Sequence, residues 1–292
     1  MRYLLLCLPM CLALAACQAS LAPLPAWQAS EGRTHAQLGQ IVDLTTGQVL
    51  APEQLVQRLA DAPRVLVGEK HDNPDHHALQ LWLLRALESR RPQGSLLLEM
   101  LQPEQQALVD GLKAPLPADL PKALAWQDGW DWSLYGPIVR HALAQPYPLL
   151  AANLSPGEIR DAYRHPVSPP GERSNTPAVL DALREQVRAG HCNLLPESQL
   201  PAMLAVQQLR DRRIAERLLA APQPALLFAG SYHAREDLGV PLHLADLGAK
   251  GQSLVVLLAE VGEAVEPGMA DFVWYTAALP EQDYCAQLRK GH

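Results

Sequence analysis

Arg64-Val65-Leu66-Val67-Gly68-Glu69-Lys70-His71-Asp72-Asn73-Pro74-Asp75 holds a strand, a turn and the start of a helix. Val65 to Val67 is continuously apolar, the pattern of a strand covered on both faces. Gly68 permits a tight turn. Asn73 then offers an N-cap side chain, Pro74 suits the first helical position, and Asp75 puts a negative charge in the first turn. Leu79, Leu83, Leu84 and Leu87 continue as an apolar helical stripe. The same alternation spreads outward. Apolar runs recur at 95–99, 148–152, 225–229 and 254–258, and helical patterns fit 103–113, 134–145, 176–189 and 198–220. Strands alternating with helices predict an α/β fold, a mainly parallel β-sheet flanked by helices. Residues 154–222 hold helical patterns and no strand candidate, which predicts an inserted α-helical subdomain. Residues 40–50 predict a small hairpin around Gly47.

Two strands end alike. One leads into Gly68-Glu69-Lys70-His71 and another into Gly230-Ser231-Tyr232-His233, while Glu99 closes a third. In open parallel sheets the carboxyl edge is where ligands bind. Two histidines and two carboxylates converging there suit a divalent transition metal, with Glu69, His71, Glu99 and His233 as ligands, or acid–base work by Glu69 and Glu99. The plainer reading is that these groups cap turns and bond one another.

The N-terminus predicts a lipoprotein signal over residues 1–16. Arg2 precedes a short apolar run that ends in Leu14-Ala15-Ala16-Cys17. The run is too short to span a bilayer. Cleavage after Ala16 frees Cys17 for a thioether lipid and palmitate-type acyl chains, which hold a protein firmly when several act together. Gln18, not an aspartate, follows, which points to the outer membrane. Residues 17–38, rich in Ala, Pro, Ser and Gln, predict a lipidated tether ahead of a single α/β domain over 39–292. Cys192 and Cys285 remain for the mature fold. They read as one disulfide in an oxidising envelope or as two buried thiols.

The formal net charge is −7 with no basic run, so nucleic acid is not an expected partner. Three of six tryptophans fall at Trp126, Trp130 and Trp132, with Tyr135 close behind. Flat indoles suit a planar ligand and a tyrosine oxygen can ligate haem iron; core packing is the alternative. His76 and His77 read as solvated residues of a first helical turn. His191, beside Cys192, reads as a ligand or a cap. The charges of residues 210–217 read as a solvated helix face. There is no P-loop, no GxGxxG after a strand and no CxxCH.

Together these segments resemble the ChaN family of haem-binding, iron-regulated lipoproteins, within the Tiki/TraB/erythromycin-esterase group. The matching pieces are residues 68–73 with 76–80, Leu98-Glu99-Met100, 132–137, Ala151-Ala152-Asn153, His191-Cys192, 207–211, 229–237 with Gly239-Val240-Pro241, and Asp283-Tyr284-Cys285. Ser231-Tyr232 departs from the pattern, where Asn-Gly is more usual; Tyr232 there either crowds the crevice or offers an extra oxygen ligand. The resemblance implies an envelope protein that binds haem non-covalently for iron acquisition, through Tyr135 with His191 or His233, and with Trp132 among the tryptophans around the ring. It also implies a homodimer around the haem and an outer-membrane haem receptor as partner. The wider group implies, as the rival, a metal-dependent hydrolase built on the Glu/His crevice.

Overall fold

The computed structural model describes residues 21–286. The signal segment and Cys17 lie outside the described residues. In chain order the elements begin with β1 (Ile41–Asp43), β2 (Val49–Leu50), α1 (Pro52–Ala60), β3 (Arg64–Glu69), α2 (Pro74–Glu88) and β4 (Ser95–Leu98). Next come α3 (Pro103–Gly111), α4 (Leu120–Ala123), α5 (Trp132–Leu143) and β5 (Leu149–Ala151). Then follow α6 (Pro156–Arg164), α7 (Pro177–Gly190), α8 (Leu200–Ala220), β6 (Ala225–Gly230) and α9 (Ser231–Ala234). The last are α10 (Val240–Asp246), β7 (Ser253–Glu260) and β8 (Phe272–Thr276).

The strands form one sheet in the order β2-β1-β8-β7-β3-β6-β4-β5. From β8 to β5 every pairing is parallel, and the hairpin of β1 and β2 adds two antiparallel strands at one edge. This is the α/β architecture that the alternating pattern predicts. The central strands are apolar through their middles because both faces are covered, with polar residues such as Arg64, Glu69, Ser95 and Glu260 at their ends. Val65, Val67, Leu96, Leu98, Leu226 and Phe228 pack with α1, α2 and α5 on one side. Leu66, Leu97, Leu227 and Leu257 pack with Ile214, Ala215 and Leu218 of α8 on the other. Residues 154–222 contain α6, α7 and α8 and no strand.

β6, late in sequence, inserts between β3 and β4, with Glu69 paired to Gly230 and Leu98 to Phe228. That insertion brings three chain segments distant in sequence to one point on the carboxyl edge. Asn73 caps α2 through its side chain, which accepts from the Asp75 N–H at 2.9 Å.

From residue 21 the predicted tether lies against the fold. Asp75 accepts hydrogen bonds from the backbone N–H groups of Gln28 and Ala29 at 2.6 and 3.2 Å, and Glu31 bridges to Ala278. His76 and His77 are buried, contrary to the solvated reading. His76 accepts from the Lys70 N–H at 2.8 Å and its other nitrogen meets Thr276 Oγ1 at 2.9 Å, so a neutral ring completes the turn after β3. Burial, with His77 and Lys70 nearby, holds its pKa well below the ordinary value.

Candidate functional site

A cleft of about 740 Å³ opens at the carboxyl edge of β3, β4 and β6. Its floor is two histidine–carboxylate pairs on either side of Gly230. Glu69, the last residue of β3, is buried and accepts from His71 Nδ1 at 2.6 Å and from the Tyr135 hydroxyl at 3.0 Å. Across Gly230, His233 Nδ1 donates to Asp211 at 2.6 Å while its Nε2 stands 3.4 Å from Glu99. Glu99 is fixed by the Gly230 N–H at 2.8 Å, and its backbone carbonyl accepts from Asn153. Glycine is required between the pairs. A Cβ on Gly230 would meet His71 Nε2 at 2.9 Å and lie 3.6 Å from Glu99 Oε2.

The pairs hold charge. Burial opposes the imidazolium of His71, but the hydrogen bond and charge of Glu69, with Glu99 and Asp72 beyond, raise its pKa to about 9. Burial likewise opposes charge on His233, and Glu99 and Asp211 outweigh it, so its pKa is raised. For Glu99 burial favours the neutral acid, yet His233, His71, Arg210 and the Gly230 N–H lower its pKa. Each histidine is thus oriented through Nδ1 by a carboxylate; Nε2 of His71 is left able to give or take a proton, whereas that of His233 faces Glu99.

The described residues give the metal reading no support. No group of three or more His, Cys, Asp and Glu among them could hold a metal ion. Glu69, His71, Glu99 and His233 do come together, as the pairs Glu69–His71 and Glu99–His233, with Tyr135 and Asp211 as further partners. Glu69 and Glu99 are buried at the floor of the cleft, and Glu69 Oε2 has no hydrogen-bond partner there.

The haem candidates scatter. Tyr135 on α5 is 1% exposed and spends its hydroxyl on Glu69. Burial and then the charge of Glu69 push its pKa far above the ordinary value, which opposes a phenolate ligand. Trp132 packs on Trp126, with Arg140 over its ring, and does not line the cleft; Trp130 does. His191 ends α7 with Nδ1 donating to the Val187 carbonyl at 2.7 Å, outside the cleft. Beside it Cys192 and Cys285 form a disulfide. Tyr232 lines the cleft and is 53% exposed, with the Arg235 guanidinium 5.9 Å from its ring centroid.

Two residues of the site were missed. Asp211 is buried at 2% exposure and Arg210 lines the cleft, whereas Arg212 and Glu216 form the expected (i, i+4) surface pair. A signal existed: Asp211 precedes Ile214, Ala215 and Leu218 at helical spacing, so it shares their buried face.

The family described as haem-binding uptake, Tiki superfamily, ChaN matches residues 55–244. The chain belongs to the ChaN family. Among solved structures, one described as cofacial heme binding to ChaN of Campylobacter jejuni is 31% identical and has a TM-score of 0.73. That likeness covers 80% of this chain and 95% of the other. An erythromycin esterase in its open conformation is 14% identical over 80% of this chain and 81% of its own, with a TM-score of 0.44. At that value the likeness does not bear on the site. No curated protein sequence matches. A ChaN fold and membership of a haem-binding family are therefore established for this chain, and the residues that meet the haem are a separate question.

Proposed function

We propose that this ChaN-family chain is an envelope lipoprotein, cleaved after Ala16 and anchored through Cys17, that binds haem non-covalently during iron acquisition. Tyr232 ligates the iron. The observation that carries this assignment is accessibility: Tyr135 is sealed against Glu69, while Tyr232 offers an exposed hydroxyl at the mouth of the cleft. The cleft lies within the size range of cofactor sites. Leu257, Val265 and Met269 give it apolar wall, and Arg210 suits a carboxylate group of a ligand, while Arg235 is paired with Asp237. Haem, when bound, supplies an iron that accepts a tyrosine oxygen. The lipid anchor rests on Leu14-Ala15-Ala16-Cys17, and the Cys192–Cys285 bond accords with an oxidising outer-membrane location. The reading takes a second copy of the chain as partner around the haem and an outer-membrane haem receptor as donor.

A second reading places the iron on Tyr163. It is favoured by the exposure of that tyrosine, 40% on α6 and outside the cleft, and of Val167 four residues on. Haemin titration of the mature chain separates the two. Tyr232→Phe is expected to abolish the tyrosinate-type visible spectrum, while Tyr135→Phe and His191→Ala leave it in place. Loss of that spectrum in Tyr163→Phe, with Tyr232→Phe unchanged, transfers the ligand to α6; no saturable Soret shift in the parent protein rejects both.

A further inference from the structure

A second groove, of about 390 Å³, lies between residues 21–25 and the outer side of α2. Ala78, Leu81, Trp82, Arg85, Ala86 and Ser89 line it at helical spacing; Trp82 and Ala86 also belong to the core that holds Leu79, Leu83, Leu84 and Leu87, so the groove runs along the margin of that core. From residue 78 to residue 89 that lining extends along about 16 Å of helix. Opposite it the chain passes through Leu21, Ala22 and Pro23, pinned where Trp82 Nε1 donates to the Ala22 carbonyl at 2.8 Å. The lining is mainly apolar and ends in Arg85 and Ser89, so the groove is long, narrow and greasy with a polar end.

The position of the groove selects its occupant. Leu21 is itself part of the wall, and Cys17 lies four residues earlier. Four residues span at most about 14 Å, so a lipid on Cys17 is delivered to the groove by the chain that forms its side. We propose that the groove takes one acyl chain of the lipid on Cys17. The inference rests on the anchor reading above. It gives the cleaved N-terminus a second resting place: one chain lies along α2 while the others hold the bilayer.

Photocrosslinking tests this. Cells expressing the full chain are grown with a diazirine-bearing palmitate analogue, and the purified lipoprotein is irradiated, digested with trypsin and mapped by mass. The expected adduct lies on the peptide from His71 to Arg85. Ala78→Phe, which fills the groove, removes it, as does Leu81→Glu at a half-buried wall position, with thermal unfolding confirming that at least one variant stays folded. An acylated Cys17 whose adducts fall elsewhere, or an adduct indifferent to both substitutions, overturns the groove assignment alone. An intact mass without acyl groups on Cys17 overturns the anchor reading and this inference with it.

Discussion

At the scale of single residues the cleft is a set of mutual constraints, and its pH behaviour follows from them. His71 has a folded pKa of about 9 against an ordinary value of 6.5. Its stabilising contribution is therefore complete below 6.5 and is lost as pH rises through 9. Glu99 runs the other way: its lowered pKa makes a contribution that is present above 4.5 and lost as pH falls below it. His233, raised from 6.5, follows His71 in direction. The network is intact between those limits. An NMR titration of the imidazole signals is expected to place the His71 midpoint near 9, and Glu69→Gln is expected to bring it back toward 6.5. A midpoint near 6.5 in the parent protein contradicts the Glu69–His71 pair. Gly230→Ala tests the same geometry sterically, because the new methyl occupies the space of the His71 ring. It is expected to displace His71 and shift the His71 and His233 signals together; unchanged signals would mean that the ring does not lie over Gly230. The sequence announced Glu69, His71, Glu99 and His233 because each sits at a strand end after an apolar run. Asp211 stayed hidden inside a charged helix, where only its phase relative to Ile214 and Leu218 marked it as buried.

At the scale of elements, strand β3 and the short helix α9 meet at a glycine. A Cβ on Gly68 would stand 2.9 Å from the Ser231 backbone Cα and 2.6 Å from Leu257 Cδ2. The side chain of Leu257 can shift, but the backbone of Ser231 cannot do so without moving His233. Gly68→Ala is accordingly expected to cost about 1–3 kcal/mol, the range for overpacking, read as a lower urea midpoint. A midpoint equal to that of the parent would show that the turn into α9 yields freely. Elements with regular, long patterns were legible: β3 to β7, α2, α3, α5, α7 and α8 all fall where apolar runs or helical stripes place them. α1 was missed although Leu55, Val56 and Leu59 carry its buried face. β8 was missed because Phe272–Thr276 follows a Pro- and Gly-containing stretch without alternation, and its burial comes from α/β packing remote in sequence. Short α9 and α10 are set by the crowding around Gly68 and Gly239 rather than by their own periodicity.

At the scale of the whole molecule, the C-terminal segment ties the helical subdomain to the sheet. Cys285 bonds to Cys192 just past α7, and the neighbouring Tyr284 hydroxyl donates to Asp72 at 2.5 Å, in the turn that follows His71. Lys70 stands 6.0 Å from the Tyr284 ring centroid and 2.9 Å from Glu260. One short segment thus spans from α7, whose Gln186 lines the cleft, to the rim that carries His71. The two partners are 93 residues apart in sequence. Closing so long a loop removes much entropy from the unfolded chain, and losing such a bond typically costs about 2–4 kcal/mol. For a domain of this size that is a fall in Tm of roughly 4–16 °C. Cys285→Ser is expected to show it in thermal unfolding, and a reductant added to the parent protein should reproduce it. The direction of the coupling is also testable, because the rim contacts made by Tyr284 depend on the same segment. If Cys285→Ser lowers Tm and leaves the His71 titration unmoved, the bond stabilises the fold without shaping the cleft. A shift of both means that the disulfide holds α7 and the Glu69–His71 pair in one register. An unchanged Tm under both treatments contradicts the bond as a stabilising link altogether.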